Sequence, residues 1–403
     1  MINSLVDRSM PPIYLISLIV AVLVVCIAAL IFYKWRIAGE EIGGLGSEPT
    51  PSFEKREYEE VAPCNSDRPV WEAQDPEWQR QMRGVGQRLS DQGVGVVFFI
   101  HGTFVGSDPF DLTRLLERGL PQINKAVLKK VVDKYNRKKD SLIGDKGIFS
   151  DEYIALFESG IEQKVDCHRF TWSSGNHHYA RLTATLGLIE QLSSLEQSNG
   201  SRILLIGHSH GGQLFALMTQ MLDDFSFAKE LTSLAIQGGF EIEPKRVIKN
   251  LKILKGLSLD FVTLGTPKRY AWKLSAKQRV LHMINHRGTS IQGGVYGGIL
   301  GTRDGDYVQQ WGTEGSDSLS PIMKHAQINN ILNKHLGIGF GINHWSSRIR
   351  LKQRLHPVGH NLLVDYKDKS RGINFLGTLF GHGIYTRYQT MLFNMKEIIN
   401  YFY

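Results

Sequence analysis

Cysteine is scarce in this chain: Cys26, Cys64 and Cys167 are the three present in 403 residues. So few thiols imply no disulfide framework, and Cys26 falls inside an apolar run. Free structural thiols in a reducing compartment are the simpler reading, with a Cys64 to Cys167 bridge the pairing left open. Nucleic-acid signatures are lacking as well: the sequence shows no paired Cys/His zinc spacing, no basic heptad region and no aromatic RNA-binding strand motif. The formal net charge of +8 therefore points to a different anionic surface, and acidic lipid headgroups suit it better than nucleic acid. No repeat of about 20 to 50 residues recurs, which excludes a solenoid.

Long hydrophobic runs are lacking too, with one exception. Residues 13–33 are apolar apart from Ser17, and a helix rising about 1.5 Å per residue over that length crosses a hydrocarbon core of about 30 Å. The run is too long for the apolar part of a signal peptide. It also ends in Phe32-Tyr33-Lys34-Trp35-Arg36, with no small-residue cleavage site. Residues 1–37 thus read as a single transmembrane anchor, Tyr33 and Trp35 sitting at headgroup depth beside Lys34 and Arg36. Lys34 and Arg36 outnumber Arg8, which Asp7 accompanies, so the positive-inside rule puts the larger, C-terminal part of the chain in the cytoplasm. Residues 38–69, rich in Gly, Glu, Pro and Ser, read as a linker. The folded domain is expected over 70–403, in a chain whose 42% hydrophobic and 21% charged residues suffice for a full core.

Within that domain short aliphatic runs alternate with helical patterns, the sign of a mainly parallel sheet with helices on both faces. The strands are expected at 94–100, 166–172, 202–206, 259–264, 280–285 and 361–366, and helices at 179–196, 213–222 and 388–401. Two basic insertions stand apart, near 121–160 and 318–357. The first carries Lys125, Lys129, Lys130, Lys134, Arg137, Lys138 and Lys139, read as a solvated face or as a lipid-docking one. The second has Arg348, Arg350, Lys352 and Arg354 near Trp345. Either could cap an active site.

Arg202 to Ile206 is a strand pattern, Gly207-His208-Ser209-His210-Gly211-Gly212 a sharp turn, and Gln213 onward a helix. That is the setting of a nucleophile elbow, in which Cβ atoms at Gly207 and Gly211 would strike helix or strand while the Ser209 hydroxyl projects over the sheet edge. About 100 residues earlier, Phe98-Phe99-Ile100 ends in His101-Gly102-Thr103. Attack by a serine places negative charge on a carbonyl oxygen, and two fixed amides, of His210 and Thr103, are the expected oxyanion donors. His101 is expected to brace its loop.

These stretches, with Trp172 to Asn176, Ala180-Arg181 and Leu264-Gly265-Thr266-Pro267, resemble the bacterial lipase-like branch of the α/β hydrolases, from about Val94 to the C-terminus. The resemblance implies an α/β-hydrolase fold and hydrolysis of an acyl bond, with no metal or organic cofactor.

His208 and His210 flank the serine in a sharp turn and point away from it. In this fold the order is serine, acid, histidine, with the base after the last strand. His382, on the glycine-flanked loop 381–383, is preferred over His360 and His356. His177, His178, His282 and His286 read as structural. For the acid, the loop after 280–285 offers Asp306 first, in Asp306-Tyr307-Val308, and Asp304 if the loop is displaced by two residues. Asp365 serves only if the strands are miscounted. The expected function is a membrane-anchored serine esterase acting on an acyl ester or lipid through Ser209, His382 and Asp306. A thioesterase or amidase with the same triad, or a non-catalytic scaffold at the membrane, are the alternatives.

Overall fold

Seven segments hydrogen-bond side by side into one parallel sheet: β1 (Phe53–Glu57), β2 (Val94–Ile100), β3 (Asp166–Phe170), β4 (Arg202–His208), β5 (Ser258–Leu264), β6 (Gln278–Asn285) and β7 (His360–Asp365). Their spatial order is β1-β7-β6-β5-β4-β2-β3, with every neighbouring pair parallel. The computed structural model describes residues 51–102, 147–195, 202–286, 305–318, 320, 322–339, 344–345, 347–348, 354–367 and 381–403. In chain order the helices within these are α1 (Pro76–Asp91), α2 (Asp151–Gly160), α3 (His178–Ser193), α4 (Gly211–Asp223), α5 (Phe225–Gln237), α6 (Pro244–Gly256), α7 (Tyr307–Trp311), α8 (Met323–His335) and α9 (Tyr388–Phe402).

Side-chain alternation along the strands divides the interior in two. Phe98, Ile100, Ile203, Leu205, Leu259 and Phe261 join one apolar core, shared with α3, α4, α5 and α6. Val97, Phe99, Leu204, Ile206, Val262 and Leu264 join the opposite core, shared with α1, α2 and α9. Helices therefore cover both faces, and the central strands are buried almost throughout, which explains their nearly unbroken apolar runs. The architecture is α/β.

The elements differ from the sequence expectations in ways that have physical causes. β1 lies inside the stretch read as linker and extends the sheet edge beside β7, Phe53 opposite Asn361 and Glu57 opposite Asp365. Phe53-Glu54-Lys55-Arg56-Glu57 is mostly exposed, so it lacks the apolar signature by which the buried strands are read. α6 was not expected either. Its Val247, Leu251 and Leu254 are buried while Lys245, Arg246, Lys249, Lys252 and Lys255 stay in water, an apolar stripe narrowed by the lysines around it. Cys64 and Cys167 are not bridged to each other. No helix among the described residues is long and apolar enough to cross a membrane. The 13–33 run and the 125–140 basic stretch lie outside the described residues.

The strand order positions the site. From β2 the chain moves outward to β3, and from β4 it moves the opposite way to β5, although β2 and β4 are neighbours. Connections that leave in opposite directions open a crevice at the carboxyl ends of the two strands. Gly102 and Ser209 stand at those ends.

Candidate active site

Ser209 comes directly after the last residue of β4 with a φ of +54°, a left-handed conformation that costs a residue bearing a Cβ. The surroundings hold it there. Its N–H donates to the Leu264 carbonyl (2.9 Å) at the end of β5, and its carbonyl accepts from Thr266 Oγ1 (2.7 Å) and from the Gly212 N–H (3.1 Å). The glycines on either side leave no room for side chains. A Cβ on Gly207 would fall 2.7 Å from Phe215 Cε2 and 2.8 Å from the Gly212 nitrogen, and one on Gly211 would fall 2.7 Å from the His101 carbonyl oxygen. The turn therefore presses strand and helix together and leaves the serine at its tip.

The end of β2 abuts this turn: a Cβ on Gly102 would lie 2.5 Å from Ser209 Cβ and 3.0 Å from its Oγ. His101 braces that end. Its Nδ1 lies 3.1 Å from Ser174 Oγ, and its carbonyl accepts from Trp172 Nε1 (2.9 Å). Thr103 lies outside the described residues. His210 occupies the N-cap position of α4, at the positive end of the helix dipole.

His382 and Asp306, 76 positions apart, meet through Nδ1 and Oδ2 at 2.7 Å. Asp306 is wholly buried. It caps α7 by accepting the Gln309 N–H on Oδ1 (2.8 Å), so the short helix anchors the acid. Oδ2 also accepts from Tyr385 Oη (3.0 Å). Among the described residues His382 Nε2 has no hydrogen-bond partner. No hydrogen bond joins it to Ser209 Oγ. The loop that carries His382 is docked on the turn all the same. His208 Nε2 donates to the His382 carbonyl (3.0 Å), and the two rings stand 4.5 Å apart. Burial above all holds His208 and His210 well below the ordinary histidine pKa, so both are neutral and act as packing and hydrogen-bonding groups.

The other candidates lie elsewhere. Asp365 ends β7 opposite Glu57, towards the sheet edge. Asp304 lies outside the described residues. His356 stacks on His282 at 3.8 Å and bonds the Thr266 carbonyl, while His360 stacks on Tyr401 and faces Glu54. His282 belongs to β6, where its Nδ1 lies 2.7 Å from Thr263 Oγ1. Thr266, which the sequence marked as part of a motif without a role, and Tyr385, which it did not mark, are further contributors. The signals available were the Leu-Gly-Thr-Pro strand end and an aromatic three residues beyond His382.

The segment after α7 closes over the His210 side of the elbow: a Cβ on Gly312 would fall 3.2 Å from His210 Cε1. A half-buried carboxylate shared by two buried arginines ties it down. Asp317 pairs with Arg181 and Arg269, and Arg269 also donates to the carbonyls of Gly312 and Thr313, each at 2.8 Å. Burial opposes ionisation of Asp317, but the two guanidiniums outweigh it and hold the carboxyl well below its usual range.

Together these groups present a serine on a left-handed turn whose preceding residue, His208, packs against a buried imidazole. The imidazole gives one nitrogen to a carboxylate and leaves the other uncommitted, an arrangement suited to deprotonating an alcohol. No group of His, Cys, Asp and Glu among the described residues has an arrangement suited to a metal ion. Neither family models, curated proteins nor solved structures match this chain.

Proposed function

We propose that this chain is a serine hydrolase of the α/β-hydrolase fold, resembling the lipase-like branch, that cleaves carboxylic esters by two-step acyl transfer. The observation that carries the reading is the buried 2.7 Å bond between Asp306 Oδ2 and Nδ1 of His382, whose loop is hydrogen-bonded to His208, the residue before an elbow serine at φ +54°. Asp306 keeps the Nδ1 proton in place, so Nε2 is the nitrogen that accepts one. Ser209 Oγ attacks the carbonyl carbon as its proton passes to Nε2. The amide of His210, with that of Thr103, receives the developing oxyanion. Collapse of the tetrahedral species breaks the bond to the alcohol, which leaves with the Nε2 proton. Water then repeats the attack and frees the acid. The apolar 13–33 run and the net charge of +8 support a place at a membrane, with the domain on the cytoplasmic side and a lipid or other bilayer-associated acyl ester as substrate.

A fluorophosphonate probe tests this, because it traps an activated serine. Wild type is expected to be labelled and Ser209→Ala not. Equal labelling of the two would reject Ser209, and an unlabelled wild type would favour a non-catalytic scaffold. A panel of ester, thioester and amide substrates then separates esterase from thioesterase or amidase.

A further inference from the structure

Tyr385 lies in the 3₁₀ turn Gly383–Thr386, which begins immediately after His382, and its ring is wholly buried. Two hydrogen bonds fix its hydroxyl. The Asn285 N–H at the end of β6 donates to Oη (2.7 Å), and Oη donates to Asp306 Oδ2 (3.0 Å). With Asn285 occupying a lone pair, the phenolic proton is aimed at the carboxylate. The receiving oxygen is the one that also takes His382 Nδ1. Packing holds the trio together, since a Cβ on Gly265 would fall 2.5 Å from both Asp306 Oδ2 and Tyr385 Cε2. A phenol placed only to fill space has no need of this geometry. Tyr366 shows the contrast: it is equally buried, lies 5.5 Å from the Tyr385 ring, and sends its hydroxyl to Asn394.

The geometry points to Tyr385 as a positioning residue that sets how strongly Asp306 acts on His382, and so the pH at which the base works; this rests on the function proposed above. A hydrogen bond to Oδ2 draws charge from the carboxylate. The less charge Oδ2 presents to Nδ1, the less the protonated imidazole is stabilised, and the lower the pH at which His382 remains an acceptor.

Among the described residues, the titratable groups facing the trio are His208, 4.5 Å from the His382 ring and 5.8 Å from that of Tyr385, His210, and Tyr366. Burial, the main cause in each, holds the two histidines neutral and the Tyr366 phenol protonated. Burial, then the Asp306 charge, likewise keeps Tyr385 protonated as a donor.

The test is the pH dependence of kcat/KM on an activated ester, measured with the full chain. Tyr385→Phe is expected to move the acid limb upward by about one pH unit, the scale of one hydrogen bond to a charged group. Tyr366→Phe should leave the limb in place. 3-Fluorotyrosine at position 385 preserves the fold and donates more strongly, so it should move the limb downward; it also decides the matter if Tyr385→Phe does not fold. A lower plateau with an unmoved limb in Tyr385→Phe, or no displacement with fluorotyrosine, overturns the role. Wild type with neither turnover nor fluorophosphonate labelling would overturn the proposed function itself, which separates the two failures.

Discussion

Replacing Asp306 by asparagine exchanges one buried oxygen for a nitrogen of nearly the same size, and the contacts around it determine the outcome. The carboxylate accepts three hydrogen bonds, from Gln309 N–H on Oδ1 and from His382 and Tyr385 on Oδ2. An amide has only one accepting atom. If its oxygen keeps the Gln309 N–H, its NH₂ faces His382 and can only donate to Nδ1. That forces the ring proton onto Nε2, the nitrogen that in the proposed mechanism accepts one from Ser209. Turned over, the amide restores the His382 bond but sets NH₂ against the Gln309 N–H in a wholly buried position. The first orientation also leaves the Tyr385 hydroxyl facing a donor, at about 1–3 kcal/mol, a cost a folded domain can tolerate. Loss of the correct tautomer is the larger effect. It costs about 10⁴-fold in turnover in a well-studied triad, or about 5.4 kcal/mol in the barrier. The assay is kcat/KM on an activated ester for Asp306→Asn and Asp365→Asn, with thermal unfolding alongside to establish that each variant folds. Folded Asp306→Asn within tenfold of wild type, or collapse in Asp365→Asn alone, would refute the assignment of the acid.

Two further outcomes concern stability. Asp317→Ala leaves Arg181 and Arg269 buried without their shared carboxylate, which should destabilise the domain by about 3–5 kcal/mol; urea unfolding with an unchanged midpoint would contradict the ion cluster's structural role. Burial pushes His178 down to about 3, His356 to about 4, and His208, His210 and His282 well below the ordinary 6.5. Below pH 6.5 the unfolded chain binds protons that the folded one refuses, so this stability is present above 6.5 and lost as the pH falls. Each such histidine should cost about 1.4 kcal/mol by pH 5.5. A melting temperature equal at pH 7.5 and 5.5 would show that they are not buried neutral.

What the sequence determined by itself was local. The buried strands are legible because a strand covered on both faces must be apolar along its whole length. β2 accordingly runs over the same residues, Val94–Ile100, that the hydrophobic run marks out. Ser209 is legible for a similar reason: strand, turn and helix are contiguous, and the constraints on Gly207 and Gly211 arise within a few residues of the serine. β1 escaped because an edge strand can be polar, its stabilisation coming from backbone bonds to β7 rather than from burial. Histidines and aspartates are ambiguous in sequence, since each serves equally well as a cap, a solvated turn or a buried partner. Only the folded chain discriminates among them. It carries the loop after β6 and the loop before α9 to one place, where His382 meets Asp306, and it leaves His356 against His282 and Asp365 at the end of the edge ladder. Tyr385 is the clearest case. Its neighbour His382 was singled out three positions away, yet nothing local marks that phenol, because its two partners, Asn285 and Asp306, stand 100 and 79 residues distant. Hydrogen bonds between such remote groups are set by strand order and loop path, and these are properties of the tertiary structure alone.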